Sequence, residues 1–179
     1  MKTLELRLLE IGDETSFTSA VREFEMESPP WAFAFDFDEN GCFAEYVSKL
    51  EGWTRGEGVR EGFVSNSYFV GIVEGKVVGR LSIRHELNDF LRNYGGHIGY
   101  GVVPSERRKG YASEMLRQSL PFCTELGIER ALISCDVDGV ASRKVIEKNG
   151  GVFDSTTTLP ELDLQKELYW IECRSKRGN

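Results

Sequence analysis

The sequence predicts a mixed α/β fold, with a central and mostly antiparallel sheet of about six or seven strands flanked by helices and one parallel strand pair at its centre. Three observations carry that expectation. Tyr68–Val73 and Lys76–Ile83 are apolar, β-branched runs about a Glu74-Gly75 turn, which is the pattern of an antiparallel hairpin. An apolar run from Ile98 to Val103 is stopped by Pro104, and a basic turn, an amphipathic stretch and a second apolar run at Ala131–Cys135 follow. That order makes a strand–helix–strand unit with parallel strands. Val152–Thr158 and Lys166–Cys173 then read as two closing strands joined by a polar loop that contains Pro160.

In chain order, Leu4, Leu6 and Leu8 alternate with Glu5 and Arg7, so the first strand is half-buried. Asp13 is placed to cap a helix in which Phe17, Val21 and Phe24 recur at near-helical spacing, and Pro29-Pro30 ends it. Trp31, Phe33, Phe35 and Phe37 alternate with Ala32, Ala34, Asp36 and Asp38. Aromatics closing the core beneath a loop give this pattern; so does part of a pocket in which Asp36 or Asp38 attracts a cationic amine. Phe43, Tyr46, Val47 and Leu50 suit a second short helix, and Glu51–Gly62, with glycine at 52, 56, 58 and 62, reads as a loop. Gly56-Glu-Gly58 lacks the preceding strand and following helix of a dinucleotide loop. Leu87, Phe90 and Leu91 predict a helical turn before Gly95-Gly96. The long helix, about Tyr111 to Leu126, buries Ala112, Met115, Leu116, Leu120 and Cys123, holds Pro121 inside it and ends at Gly127. Tyr169, Trp170 and Ile171 give the final strand its apolar weight; exposed, it offers an edge for homodimer pairing, and Arg174–Asn179 is a frayed tail.

The 179 residues suffice for one full core. No apolar run approaches a membrane span, and the acidic, alternating start does not suit a signal peptide, so the expectation is a soluble, cytoplasmic protein with no membrane partner. Cys42, Cys123, Cys135 and Cys173 form no Cys-x-x-Cys pair, and only His85 and His97 could join them, which argues against a zinc site or a disulfide scaffold. A formal charge of −7 opposes nucleic-acid binding. Against that balance, Arg107-Arg108-Lys109 is a local cationic spot.

The spot lies where a helix begins, and the first N–H groups of a helix lack intrahelical partners and carry the positive end of its dipole. An anion such as a pyrophosphate can sit there. Gly110 removes a side chain where a phosphate would approach the backbone, Ala112 is small for the same reason, and Arg107, Arg108 and Lys109 add charge. A solvated basic turn before an ordinary helix has the same composition.

Val102-Val-Pro-Ser-Glu-Arg107-Arg-Lys-Gly110-Tyr-Ala112 resembles the acetyl-CoA-binding signature of the GNAT superfamily of N-acetyltransferases: Arg or Gln, two residues, Gly, one residue, then Gly or Ala. Arg84-His-Glu-Leu-Asn88 followed by Gly95-Gly-His-Ile-Gly-Tyr100 resembles a bacterial branch of predicted acetyltransferases, and the likeness covers Ser67 to Gly151 best. Asp138-Gly-Val-Ala-Ser142 resembles the superfamily's second cofactor segment, with Ser142 matching, Gly139 where an asparagine is usual, and Ile146 where a tyrosine often protonates the leaving thiolate. The resemblance implies a single N-acetyltransferase domain over residues 1–179 with the GNAT fold and with acetyl-CoA as cofactor. The residues it assigns to cofactor binding are Val102, Val103, Arg107, Arg108, Lys109, Gly110, Tyr111, Ala112 and Ser142. No metal is expected, on the cysteine and histidine spacing given above.

Acetyl transfer to an amine needs a neutral nucleophile, an oxyanion donor and both reactants in contact. The resemblance puts the donor on the backbone near Val102 and Val103. For the catalytic base, His97 at the start of the central strand titrates in the right range, and a histidine bonded to the Gly95-Gly96 turn has the same sequence; Glu86 is the second candidate. Tyr100 lines the pocket or packs in the core. The expected function is direct transfer of an acetyl group to the primary amine of a small molecule or peptide within a ternary complex. The alternative is a non-catalytic acyl-CoA-binding sensor or assembly module.

Overall fold

The computed structural model describes residues 3–27, 33–159 and 164–173. The expectations for Pro29-Pro30, Trp31, Ala32, the Pro160 loop and the 174–179 tail lie outside the described residues. Alternating polarity makes β1 (Glu5–Leu8) and buries Leu6, while Leu8 stays 41% exposed at the strand's end. Helix α1 (Glu14–Glu25) turns Phe17, Ala20, Val21 and Phe24 inward. Asp13 stands at its N-cap but does not cap it: Arg7 Nη1 and Nη2 each donate to its carboxylate at 2.8 Å, and the Glu10 N–H donates at 2.9 Å. A two-pronged, charge-assisted bond in a buried place outcompetes a neutral cap.

Helix α2 (Phe43–Arg55) runs past the expected end at Leu50 and through Gly52, so the stretch read as a loop begins five residues later. Trp53, buried, anchors the extra turn, and Gly56 ends it with a left-handed φ of 80°. One large apolar side chain at helical spacing from Leu50 overrides the low helix propensity of a glycine.

Strands β2 (Asn66–Val73) and β3 (Lys76–Arg84) form the expected hairpin, and β4 (Ile98–Val102), α3 (Tyr111–Glu125) and β5 (Arg130–Asp136) form the strand–helix–strand unit. After α4 (Val140–Lys148) come β6 (Val152–Leu159) and β7 (Leu164–Glu172). The sheet has seven strands in the order β1-β2-β3-β4-β5-β7-β6, antiparallel at every join except β4 to β5. The final strand is therefore not the edge. β7 inserts between β5 and β6, and β6, with Val152 and Phe153 exposed, forms the border.

Both faces of the sheet are covered. On one, Tyr68, Val70 and Val77 pack with Phe17, Tyr46 and Trp53 of α1 and α2; on the other, Leu81, Ile83, Ile98 and Val102 pack with Met115 and Leu116 of α3 and Ile146 of α4. The paired glycines Gly71 and Gly79 let α3 come close, since a Cβ on them would lie 2.7 and 2.8 Å from Met115 Sδ and Cε. Cys42 is exposed and Cys123, Cys135 and Cys173 are buried, all as thiols. Among the described residues no helix is long and apolar enough to cross a membrane.

Candidate functional site

The parallel strands β4 and β5 are joined at one end only. Ile98 and Ile133 are in register, and His97 locks that end: its N–H donates to Leu132 O at 2.7 Å while its ring Nδ1 accepts the Leu132 N–H at 2.9 Å. Gly96 makes the approach feasible, because its φ is 66° and a Cβ there would sit 2.5 Å from Leu132 O. Beyond Ile98 and Ile133 no further pair is in register among the described residues, so Gly99–Val102 and Ser134–Asp136 diverge into a cleft. Crevices beyond the carboxyl ends of parallel strands, where the sheet changes direction, are common ligand sites.

The basic turn lies at the mouth of this cleft, pinned to α1. Glu23 accepts the Ser105 N–H at 2.5 Å, and Glu27 takes a two-pronged bond from Arg107 at 2.7 and 2.6 Å, while Arg107 Nε donates to Val102 O at 3.2 Å. Lys109 pairs with Glu106 at 2.7 Å, and Lys76 with the same carboxylate at 2.8 Å. Those lysines hold the Glu106 carboxyl below its ordinary range. Of the three expected charges, Arg107 and Lys109 are thus engaged within the chain, and Arg108, exposed with a left-handed φ of 63°, makes no hydrogen bond or ion pair among the described residues. Gly110, φ 85°, opens α3, whose first helical bond runs from the Glu114 N–H to Gly110 O at 3.1 Å. The N–H groups of Tyr111, Ala112 and Ser113 precede that bond and have no partner within the helix.

The start of α4 faces the same cleft. Tyr100 reaches from β4 so that its hydroxyl lies 2.9 Å from Ser142 Oγ and 3.3 Å from Ser142 O, and burial pushes its pKa up to about 12, which keeps it protonated. Gly139 is explained by its turn: its N–H donates to Asp136 O at 2.8 Å, and a Cβ there would meet that oxygen at 2.9 Å. Ile146 lies fully buried in the core. Asn149 Nδ2 ties the far end of α4 to Ser113 Oγ in the first turn of α3 at 3.1 Å.

Of the two candidate bases, His97 is not brought to this mouth. His97 lies five residues before Val102, about 16 Å along an extended strand. With Nδ1 accepting from Leu132, the neutral ring carries its proton on Nε2, so it has no free acceptor; its partner is the next strand rather than the Gly95-Gly96 turn. Burial, with Arg84 and Arg92 nearby, pushes its pKa down to about 4. Since the unfolded chain binds the proton more readily, stability is expected to be complete above pH 6.5 and to fall as pH drops toward 4. Urea unfolding across that window checks this, and His97→Gln should flatten the pH dependence even where it lowers stability. Glu86 is exposed at the bend after β3, past Arg84, which itself pairs with the start of β4. Val103 is excluded as an oxyanion donor because its N–H already donates to Val78 O at 2.9 Å; strand alternation turns the Val102 N–H to the cleft side instead.

The opposite opening of the cleft, toward α1 and α2, is cationic. Gly99 and Gly101 leave β4 bare on that face, opposite Ser82 and Arg80 of β3. Arg80, buried, donates to Ser82 Oγ at 3.2 Å and stacks 5.1 Å over Phe35. Arg84 lies over Gly99, with Nη1 3.2 Å from the position of a Cβ there. Asp36 is paired with Lys49 and Arg60 at 3.2 and 2.6 Å, so it is not free to draw in a cationic amine, and Asp38 accepts the Asn40 N–H at 2.9 Å. Phe33 and Phe37 close the core on Phe17. The alternation Arg80-x-Ser82-x-Arg84 against Gly99-x-Gly101 is visible in the sequence, but only the pairing of β3 with β4 gives it meaning.

The family model described as an acetyltransferase (GNAT) domain matches residues 3–152. No curated protein matches the chain by sequence. Among solved structures, Mycobacterium smegmatis RimJ in complex with CoA-disulfide superposes with a TM-score of 0.71 at 20% identity, covering 98% of this chain and 85% of that one. The ribosomal-protein-S5-alanine acetyltransferase from Vibrio fischeri gives 0.72 at 15% identity over 99% and 97%. A putative acetyltransferase from Salmonella typhimurium with its cofactor acetyl-CoA gives 0.62 at 11% identity over 98% and 96%. These likenesses speak to the fold.

Proposed function

The chain belongs to the GNAT acetyltransferase family, and on that premise we propose that it moves the acetyl group of acetyl-CoA directly to the primary amine of a small molecule or peptide, both bound at once. Acetyl-CoA supplies the activated thioester. The observation that carries the reading is the one-ended joint between β4 and β5, whose open end lies toward the start of α3, where the first N–H groups have no partner within the helix, and toward the hydroxyls of Tyr100 and Ser142.

The residues fit a pyrophosphate at the start of α3. Gly110 presents no side chain, the N–H groups of Tyr111, Ala112 and Ser113 have no partner within the helix, and Arg108 adds a charge that is uncommitted among the described residues. Arg107 and Lys109 act through the turn, which they hold in shape by binding Glu27 and Glu106. The Val102 N–H faces the cleft as the donor for developing negative charge, an interaction worth about 3 kcal/mol when preorganised. We assign the base's role to neither His97 nor Glu86; the amine gives its proton to solvent. Tyr100 stands in for the missing tyrosine at position 146, its hydroxyl offering a proton or a hydrogen bond toward the leaving thiolate. With Gly139 explained by its turn, the departures from the family pattern do not favour a non-catalytic acyl-CoA sensor. The name of the ribosomal-protein-S5-alanine acetyltransferase neighbour supports a peptide amine as one acceptor to try.

Calorimetric titration with acetyl-CoA, beside ATP and dephospho-CoA, tests the cofactor site; about micromolar affinity is expected. Thiol release in the presence of an amine panel then tests transfer. Tyr100→Phe is expected to lower kcat about tenfold, the value of one hydrogen bond to a charged group, with acetyl-CoA affinity little changed. Unchanged kcat would remove Tyr100 from the reaction.

A further inference from the structure

The acceptor side of the cleft carries its own chemical signature. If the cofactor arm enters beside α3 and α4, the amine must come through the opposite opening, toward α1 and α2, where the floor is Gly99 and Gly101. That floor is bordered by Arg80 and Arg84, two residues apart from Ser82 on one face of β3. Arg84 is held in place by two long bonds from Nη1 to Gly95 O and Gly96 O, both 3.4 Å, and its Nε and Nη2 make no hydrogen bond among the described residues. It forms no ion pair among them either. The planar fork of a guanidinium with unused donors matches a carboxylate. His97, close enough to Arg84 to feel its charge, supplies no anion. Asp36 of the aromatic loop is already taken by Lys49 and Arg60.

We propose that the acceptor is an amine that carries a carboxylate, received by the Arg84 guanidinium over the bare Gly99 floor with Arg80 behind it. This rests on the acetyltransferase reading above. It also reverses the cationic acceptor that Asp36 and Asp38 suggested in the sequence. The carboxylate belongs either to a small aminocarboxylic acid or to an acidic side chain next to a peptide N-terminus.

The test compares matched acceptors: 4-aminobutyrate with its amide, glutamate with glutamine, and short peptides with Glu or Gln at their second position. The wild-type enzyme is expected to favour the acid of at least one pair by about 30-fold in kcat/KM, a charge-assisted bond's worth. The pair that responds identifies the source. In Arg84→Gln the preference should fall below about threefold, chiefly through KM, while the affinity for acetyl-CoA stays unchanged. Arg84→Lys, which keeps the charge and loses the fork, should recover part of it and guards against a folding artefact. Equal rates on acid and amide, or a preference that survives Arg84→Gln, overturn the proposal while leaving the acetyltransferase standing. If acetyl-CoA binds but no amine in the panel reacts, the same acids are titrated into the acetyl-CoA complex, and absence of binding overturns it too. Failure of acetyl-CoA itself to bind strikes the function, whereas acid binding to the free protein that is lost in Arg84→Gln would still uphold the site.

Discussion

Gly110→Trp is expected to lower affinity for acetyl-CoA by at least about 100-fold, or about 2.7 kcal/mol, in a protein that remains folded. Gly110 sits at the N-cap of α3 with φ 85°, immediately before the helical N–H groups that have no partners of their own. An indole there covers the place an anion would occupy, and no flexible neighbour has to move for it to do so, since residues 107 to 110 are all exposed. The positive φ alone costs any side chain about 1 kcal/mol, which lowers stability without touching the ligand. Gly110→Ala separates the two effects: it should lose that stability and keep most of its affinity. Titration calorimetry with a parallel melting curve decides the matter. A folded tryptophan variant that binds as tightly as the wild type would mean that the pyrophosphate is not held at α3.

The largest loss of stability is expected from Gly96→Ala. Its Cβ would lie 2.5 Å from Leu132 O, 2.9 Å from Leu132 C and 3.1 Å from Ile133 Cα, all backbone atoms, and its φ of 66° is itself unfavourable for alanine. Neither a rotamer change nor a small side-chain shift relieves a contact with the neighbouring strand. Relief requires moving β4 away from β5, which breaks both bonds between His97 and Leu132 beside the one parallel pair in register among the described residues. A cost of about 3 kcal/mol or more follows. Urea unfolding measures it; a change below about 1 kcal/mol would show that the joint is soft and that the cleft's width is not set there. Because the same joint aims the diverging strands, surviving activity in the folded fraction should fall as well.

Local patterns were enough for much of the molecule. The hairpin, the strand–helix–strand unit and the amphipathic α3 are written in periodicity and in Pro104, Gly110 and Gly127, because each depends on neighbours close along the chain. The signature Arg107-x-x-Gly110-x-Ala112 likewise located the turn at the cleft, since a helix start and a left-handed glycine are local features. Where distant groups compete for one side chain, the sequence could not decide. Asp13 looked like a cap and instead binds Arg7; Arg107 and Lys109 looked like free cations and are spent on Glu27 and Glu106; Gly52 looked like a break and is carried by Trp53.

His97 shows the same division most clearly. Its residue type promised a base, but its protonation follows from where the tertiary structure puts Nδ1, on the N–H of a residue 35 positions away. The sequence by itself determined the hairpin, the strand–helix–strand unit, the turn beside the cleft and the family. Only the tertiary structure decided which charges remain unpaired, which strand forms the edge, and that Arg84 rather than Asp36 faces the bare glycines of β4. Hydrophobic periodicity is a property of a few adjacent residues, whereas charge pairing, desolvation and strand register are settled between segments that meet only when the sheet closes.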